Sequence, residues 1–163
     1  MQETISFDDL AVPVFRSKTK GAKVYPKTEM SLFFDGCSKG NPGQSGIGAV
    51  LYEGDTEIWA AARYIGDHQT NNEAEYRALI LGLEEASERK ILDLTVFGDS
   101  QLVINQVNGV YKVKAKNLFD LYERVELLKK CFRFVQFNHV YREQNTRADA
   151  LSNIGLRSIL PVL

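Results

Sequence analysis

Apolar positions recur along this chain at two periods, and the switches between them mark nine elements. MSLFFDG (30–36) is an apolar run ending in Asp-Gly, the pattern of a short strand closed by a turn. CSKGNPGQSG, which follows, is rich in Gly, Asn and Pro and predicts a loop. GIGAVLYEG (46–54) and TEIWAAARYIG (56–66) flank a Gly-Asp pair and predict a hairpin. The period then changes. Thr70 and Glu73 stand at capping-box spacing, and Ala74, Ala78, Leu79, Gly82, Leu83 and Ala86 form one small-to-apolar helical face. ILDLTVFGD (91–99) has the pattern of a buried strand ending in Gly-Asp, and QLVINQVNG (101–109) that of a short helix closed by Asn-Gly. Leu118, Leu121, Tyr122, Val125 and Leu128 predict a second long amphipathic helix. FRFVQFNHV (132–140) predicts a strand, and NTRADALSNIG (145–155) a last helix closing at Gly155. The order β-β-β-α-β-α-α-β-α is a meander followed by alternation. It predicts an α/β fold, a mixed sheet with helices packed on it.

Composition adds bounds. The 163 residues suit a single domain with one core, and 44% hydrophobic with 25% charged residues is ordinary for a globular protein. No apolar run reaches the roughly 18 residues that cross a bilayer. The opening MQETISFDDL is acidic and lacks the basic start of a secretory signal, so the expectation is an intracellular protein, cytoplasmic or nuclear, with no membrane partner. Cys37 and Cys131 form no CxxC pair; whether they meet in space stays open. The net charge of −1 is unevenly spread: RSKTKGAKVYPK (16–27) holds five basic residues and no acid, leaving 15 basic against 21 acidic residues elsewhere. Overall charge therefore gives no reason to expect nucleic-acid binding, and a polyphosphate partner would need local basic patches or metal at clustered acids.

Four acids stand where the chain turns. Asp35 ends the first predicted strand and Asp99 the fourth, while Glu75 and Asp149 lie near the starts of the first and last helices. If the first and fourth strands are neighbours, all four can reach one rim. Carboxylates so close stay ionised only with cations among them. Oxygen donors without a Cys or His cluster suit Mg²⁺ or Mn²⁺ better than zinc. Two such ions about 4 Å apart can activate water and stabilise a leaving oxygen in phosphodiester cleavage. On spacing alone, turn chemistry and the helix dipole account for the same acids.

The residues around them carry a resemblance. Asp35 stands in FFDGCSKGNPGQSGIGAVL, Glu75 in TNNEAEYRALILGL, Asp99 in FGDSQLVINQVNG and Asp149 in HVYREQNTRADALSN. In this order the four blocks, spanning roughly 30–155, resemble type 1 ribonuclease H, especially its short forms. The resemblance implies a ribonuclease H-like fold, with a five-stranded sheet made of a three-strand antiparallel meander plus parallel strands. It also implies an endonuclease that hydrolyses the RNA strand of RNA–DNA hybrids, leaving 5′-phosphate and 3′-hydroxyl ends. Asp35, Glu75, Asp99 and Asp149 would hold two Mg²⁺ ions, with Mn²⁺ as a substitute. His139, ten residues before Asp149, matches a mobile catalytic histidine, although HVYREQN lacks the Gly-containing form of bacterial relatives; a strand-end histidine held by a hydrogen bond is the plainer alternative. Arg142 is a phosphate contact or an ordinary surface arginine. Asn41, Asn71, Asn72 and Gln101 match substrate-contact positions, where neutral amides can read a ribose 2′-hydroxyl and base edges. Turn and cap chemistry explains the asparagines too. Thr70 matches a phosphate-holding hydroxyl and is also the cap; Ser38 offers a backbone contact.

GNPGQSGIG is not a dinucleotide loop, because a strand pattern follows it instead of a helix. The basic protrusion of longer relatives is missing: VYKVKAKN (110–117) alone joins the two helices, with Tyr111, Lys112, Lys114 and Lys116 as a small basic stretch. Residues 1–29 form an N-terminal extension, 30–155 the catalytic domain and 156–163 a tail. The basic arm is a candidate for phosphate contact, and Val12, Val14 and Phe15, like the apolar SILPVL (158–163), are candidates for docking on the body. A monomer acting on a hybrid, and a stand-alone protein, are the expectations. The rivals are a non-catalytic binding module, a related nuclease of the integrase, resolvase or exonuclease kind, and a domain excised from a reverse transcriptase.

Overall fold

The structure is a computed structural model and describes residues 28–158. The expectations for the basic arm, for Val12, Val14 and Phe15, and for the last five residues lie outside that range. Strands β1 (Met30–Lys39), β2 (Gly43–Glu53) and β3 (Thr56–Gln69) form an antiparallel meander. Helix α1 (Asn71–Glu88) leads to β4 (Asp93–Gly98), which pairs parallel to β1. Helices α2 (Gln101–Val107) and α3 (Lys116–Lys129) precede β5 (Phe134–His139), parallel to β4. A single 3-10 turn (Arg142–Gln144) then enters α4 (Thr146–Arg157). The sheet order is β3-β2-β1-β4-β5, the mixed five-stranded sheet that the sequence predicts.

β1 is central and covered on both faces, which is why its apolar run is unbroken and not alternating. Leu32 and Phe34 belong to the core shared with α1, α2 and α3, through Leu79, Leu83, Val103 and Val125. Phe33 points the other way, stacks on Phe97 at 4.8 Å between ring centroids, and meets Ala148 and Leu151 of α4.

Three expectations need correction. The predicted loop after Gly36 is mostly strand: Cys37 pairs with Gly46, Ser38 with Ser45 and Lys39 with Gln44, leaving Gly40 to Pro42 as the turn, with a cis Asn41–Pro42 bond. Cross-strand pairing with β2 outweighs the weak strand preference of these small residues. Asp35 is consequently not at a strand end. It lies mid-strand, one residue past Phe34↔Gly98, the last pair that β1 makes with β4. The last helix does not close at Gly155 but runs on to Arg157. Gly155 is there for close approach: a Cβ on it would come 2.4 Å from the Arg63 carbonyl oxygen of β3.

Gly36 fixes α1 in the same way. A Cβ there would stand 2.3 Å from the Ala74 carbonyl carbon and 2.5 Å from the Glu75 nitrogen, so only glycine lets the helix meet β1 beside Asp35. Gly36→Ala should push α1 off the sheet, costing about 1–3 kcal/mol in urea unfolding, and should weaken activity through Glu75. Between α2 and α3 the chain forms no further element, so the protrusion is absent as expected; Tyr111, Lys112, Lys114 and Lys116 are exposed there. Cys37 and Cys131 are both free thiols. No helix among the described residues is long and apolar enough to cross a membrane.

Candidate active site

Where β1 parts from β4, the two strands open a notch at the C-terminal end of β4. Asp35 and Asp99 are each the first residue past the last β1–β4 pair, so their carboxylates enter this notch from adjacent strands. The start of α1 delivers Glu75. Its N-terminus is held by the capping box read from the sequence: Thr70 Oγ1 accepts from the Glu73 amide and Glu73 Oε1 accepts from the Thr70 amide, both at 3.1 Å. One carboxylate oxygen from each of Asp35, Glu75 and Asp99 lies within 4.8 Å of the others.

Asp35 and Glu75 are buried and Asp99 is half-buried. Burial is the main force on all three, since desolvation disfavours the charged form. It pushes the Asp35 carboxyl up to about 7, with the charges of Asp99 and Asp149 adding to the rise and a hydrogen bond with Glu75 opposing it. Glu75 is driven well above the usual carboxylate range by burial and then by the charge of Asp35. Asp99 is raised by burial, while the Asn145 amide, Arg142 and His139 draw it back. Glu75 Oε2 is buried with no hydrogen-bond partner among the described residues. A buried carboxylate oxygen left unpaired among like charges is costly unless a cation satisfies it. The donor set is all oxygen, so the three acids fit a hard divalent ion.

Asp149 stands at the edge of this trio. It is half-exposed on the first turn of α4, 3.8 Å from Arg142 Nη2, and Ser152 Oγ bridges from its carbonyl (2.8 Å) towards Asp35 Oδ2 (3.5 Å). His139 pairs with Gly98 across β5–β4 and comes beside Asp99, its Nε2 3.2 Å from the Asp99 carbonyl oxygen. A carbonyl only accepts, so this Nε2 carries the proton and Nδ1 is the nitrogen left to accept one. Arg142 is highly exposed on the lip.

Ser38, Asn41 and Asn71 gather where the β1–β2 turn meets the start of α1. Asn71 Oδ1 accepts from the Ser38 amide at 3.0 Å, and Asn41 Oδ1 accepts from the Asn71 amide at 3.1 Å. Ser38 Oγ donates to the Gln69 carbonyl at 2.9 Å and contacts that of Gly40. These oxygens are committed to tying the β1–β2 turn to α1, so the turn-and-cap reading holds for half of each amide. No hydrogen bond among the described residues uses the Nδ2 donors of Asn41 or Asn71. Asn72 is half-buried on the same helix start, and Gln101 is exposed at the first position of α2, two residues after Asp99.

Two site residues escape sequence reading. Ser152 is fully buried between Asp149 and Asp35. Asn145 is 1% exposed, with Nδ2 donating to the Phe34 carbonyl at 3.0 Å. In the sequence Asn145 looks like a helix start, and nothing local distinguishes a capping amide from one spent on a neighbouring strand.

A mixed sheet of this order, with acids delivered from β1, α1 and the end of β4, defines a ribonuclease H-like fold. Comparison with known proteins agrees. The sequence profile of a family described as "Reverse transcriptase-like" matches residues 33–155. The bifunctional protein Rv2228c of Mycobacterium tuberculosis is 41% identical over 120 residues, covering 73% of this chain but only 33% of that protein. The ribonuclease H of Desulforamulus reducens is 36% identical over 143 residues, covering 76% of this chain and 85% of that one. Among solved structures, LC11-RNase H1 in complex with an RNA/DNA hybrid has a TM-score of 0.76 at 35% identity, over 81% of this chain and 99% of that one. The chain belongs to the ribonuclease H family, in the short type 1 form that its sequence resembles. It spans about a third of the length of the mycobacterial relative.

Proposed function

We propose that this chain is an endoribonuclease that hydrolyses the RNA strand of RNA–DNA hybrids with two divalent ions, leaving 5′-phosphate and 3′-hydroxyl ends. The observation that carries the reading is the trio of Asp35, Glu75 and Asp99, with one oxygen of each within 4.8 Å of the others and Asp35 and Glu75 buried. Family membership and a hybrid-bound relative support the choice of substrate.

Asp35, Glu75, Asp99 and Asp149 would hold two Mg²⁺ ions, with Mn²⁺ able to replace them. Bound there, the ions would supply a water acidic enough to attack phosphorus and would neutralise charge on the leaving oxygen. The chain's own groups do the rest. Phe33, Phe97 and Ala148 belong to a buried apolar cluster that packs α4, which bears Asp149, on the sheet. Exposed Asn41, Asn71 and Gln101, with half-buried Asn72, offer neutral amides suited to a minor groove and its 2′-hydroxyls. Arg142 on the lip offers a cation to a phosphate. His139, beside Asp99, can take up or deliver a proton at Nδ1. All four acids belong to one chain, so the proposal needs no second copy.

His139→Ala should slow turnover by about 10²-fold without ending it, as loss of a proton-transfer group does; steady-state kinetics on a labelled hybrid would measure this, and complete inactivity would give His139 a different role. The substrate assignment is tested by labelling each strand of a hybrid in turn, with RNA and DNA duplexes alongside. Cleavage confined to the RNA strand of the hybrid, with 5′-phosphate products, is expected. Failure with both Mg²⁺ and Mn²⁺ would leave a non-catalytic binding module, and preferred cleavage of DNA duplex a different nuclease.

A further inference from the structure

Asn145 immediately precedes α4, where an asparagine ordinarily caps the helix with its side chain. Here the side chain makes no capping bond. It turns inward instead, 1% exposed, and Nδ2 donates to the carbonyl of Phe34, the residue before Asp35. Its amide also faces the Asp99 carboxylate. Its backbone carbonyl accepts the Asp149 amide at 3.0 Å. One residue thus touches the strand bearing Asp35, the carboxylate of Asp99 and the turn bearing Asp149. Phe34 is also where β1 makes its last pair with β4, so the amide bonds at the point where the two acid-bearing strands separate. Oδ1 is buried with no hydrogen-bond partner among the described residues.

We propose that Asn145 is a positioning residue for the metal site, bonding the Phe34 carbonyl and fixing α4 so that Asp35, Asp99 and Asp149 are held at ligating separation. A hydrogen bond behind the ligands orients them, and removing such a bond typically costs about 10–100-fold in metal affinity or activity. The proposal rests on the acids being a metal site, and its test separates the two ideas.

Mn²⁺ binding would be titrated calorimetrically, without substrate, for the wild type, Asn145→Ala, Asn145→Ser and the remote core variant Leu128→Ala, with hybrid cleavage measured in parallel. Wild-type protein that binds no Mn²⁺ would remove the metal site itself. If the wild type binds, Asn145→Ala should lose about tenfold or more in Mn²⁺ affinity and in kcat, while KM for the hybrid changes less than about twofold, because the amide touches ligands and not substrate. Asn145→Ser keeps a small polar group that cannot span to Phe34; it should show the same loss and answers the question should the alanine variant not fold. Leu128→Ala should lower Tm yet leave Mn²⁺ affinity unchanged. Folded Asn145 variants that bind Mn²⁺ like the wild type, or that lose no more than Leu128→Ala, would overturn the proposal.

Discussion

Asp35→Asn should lose about 10³-fold or more in kcat, the scale of removing a main electrostatic element of a site, and should at the same time become more stable above pH 7. The two effects share one cause. Asp35 is buried against Glu75 and Asp99, and its carboxyl is pushed up to about 7 from 3.8. A group that holds its proton more tightly when folded favours the folded state below its unfolded pKa, and that favour is lost as pH rises through the folded value. Wild-type protein without divalent ions should therefore weaken between about pH 4 and pH 7. Asparagine keeps the shape and cannot ionise, so the gain at pH 8 is on the order of a few kcal/mol and should vanish near pH 4. Urea unfolding at the two pH values in a chelator checks this. Full activity in the variant would remove Asp35 from the metal site, and equal stability at pH 8 would show that its charge is not strained.

Divalent ions should reverse that strain. At pH 8 a ligand that binds only the folded state stabilises it by roughly 3 kcal/mol at a hundred times its dissociation constant, which for a domain of this size raises Tm by roughly ten degrees. At pH 5 the gain should be much smaller, because the Asp35, Glu75 and Asp99 carboxyls are all raised and their protons compete with the ion. Thermal melts in Mg²⁺ and in chelator at both pH values measure the difference. A shift of the same size at pH 5 would place the ion elsewhere.

Much of this was readable from the sequence where the chemistry is local. Thr70 and Glu73 announce the start of α1 because a capping box is complete within four residues. The meander and the alternation after it follow from apolar period, and the four acid blocks carry the family. What stayed hidden depends on partners far along the chain. Cys37 to Lys39 look like loop until Gln44 to Gly46 pair with them. Asp35 looks like a strand end because nothing local shows that β1 loses one neighbour there while keeping the other. Gly155 reads as a helix stop although it is small for the sake of Arg63 on β3. Asn145 reads as a helix start although its amide reaches Phe34, on the central strand. His139 was legible by offset alone; its place beside Asp99 comes from the β4–β5 register.

The most direct measurement is anomalous diffraction from crystals of the protein grown with Mn²⁺ and an RNA–DNA hybrid. Two Mn²⁺ peaks bounded by Asp35, Glu75, Asp99 and Asp149 are expected, with a phosphate of the RNA strand against them. Hybrid bound with no ion at these four acids, or with the DNA strand lying over them, would contradict it.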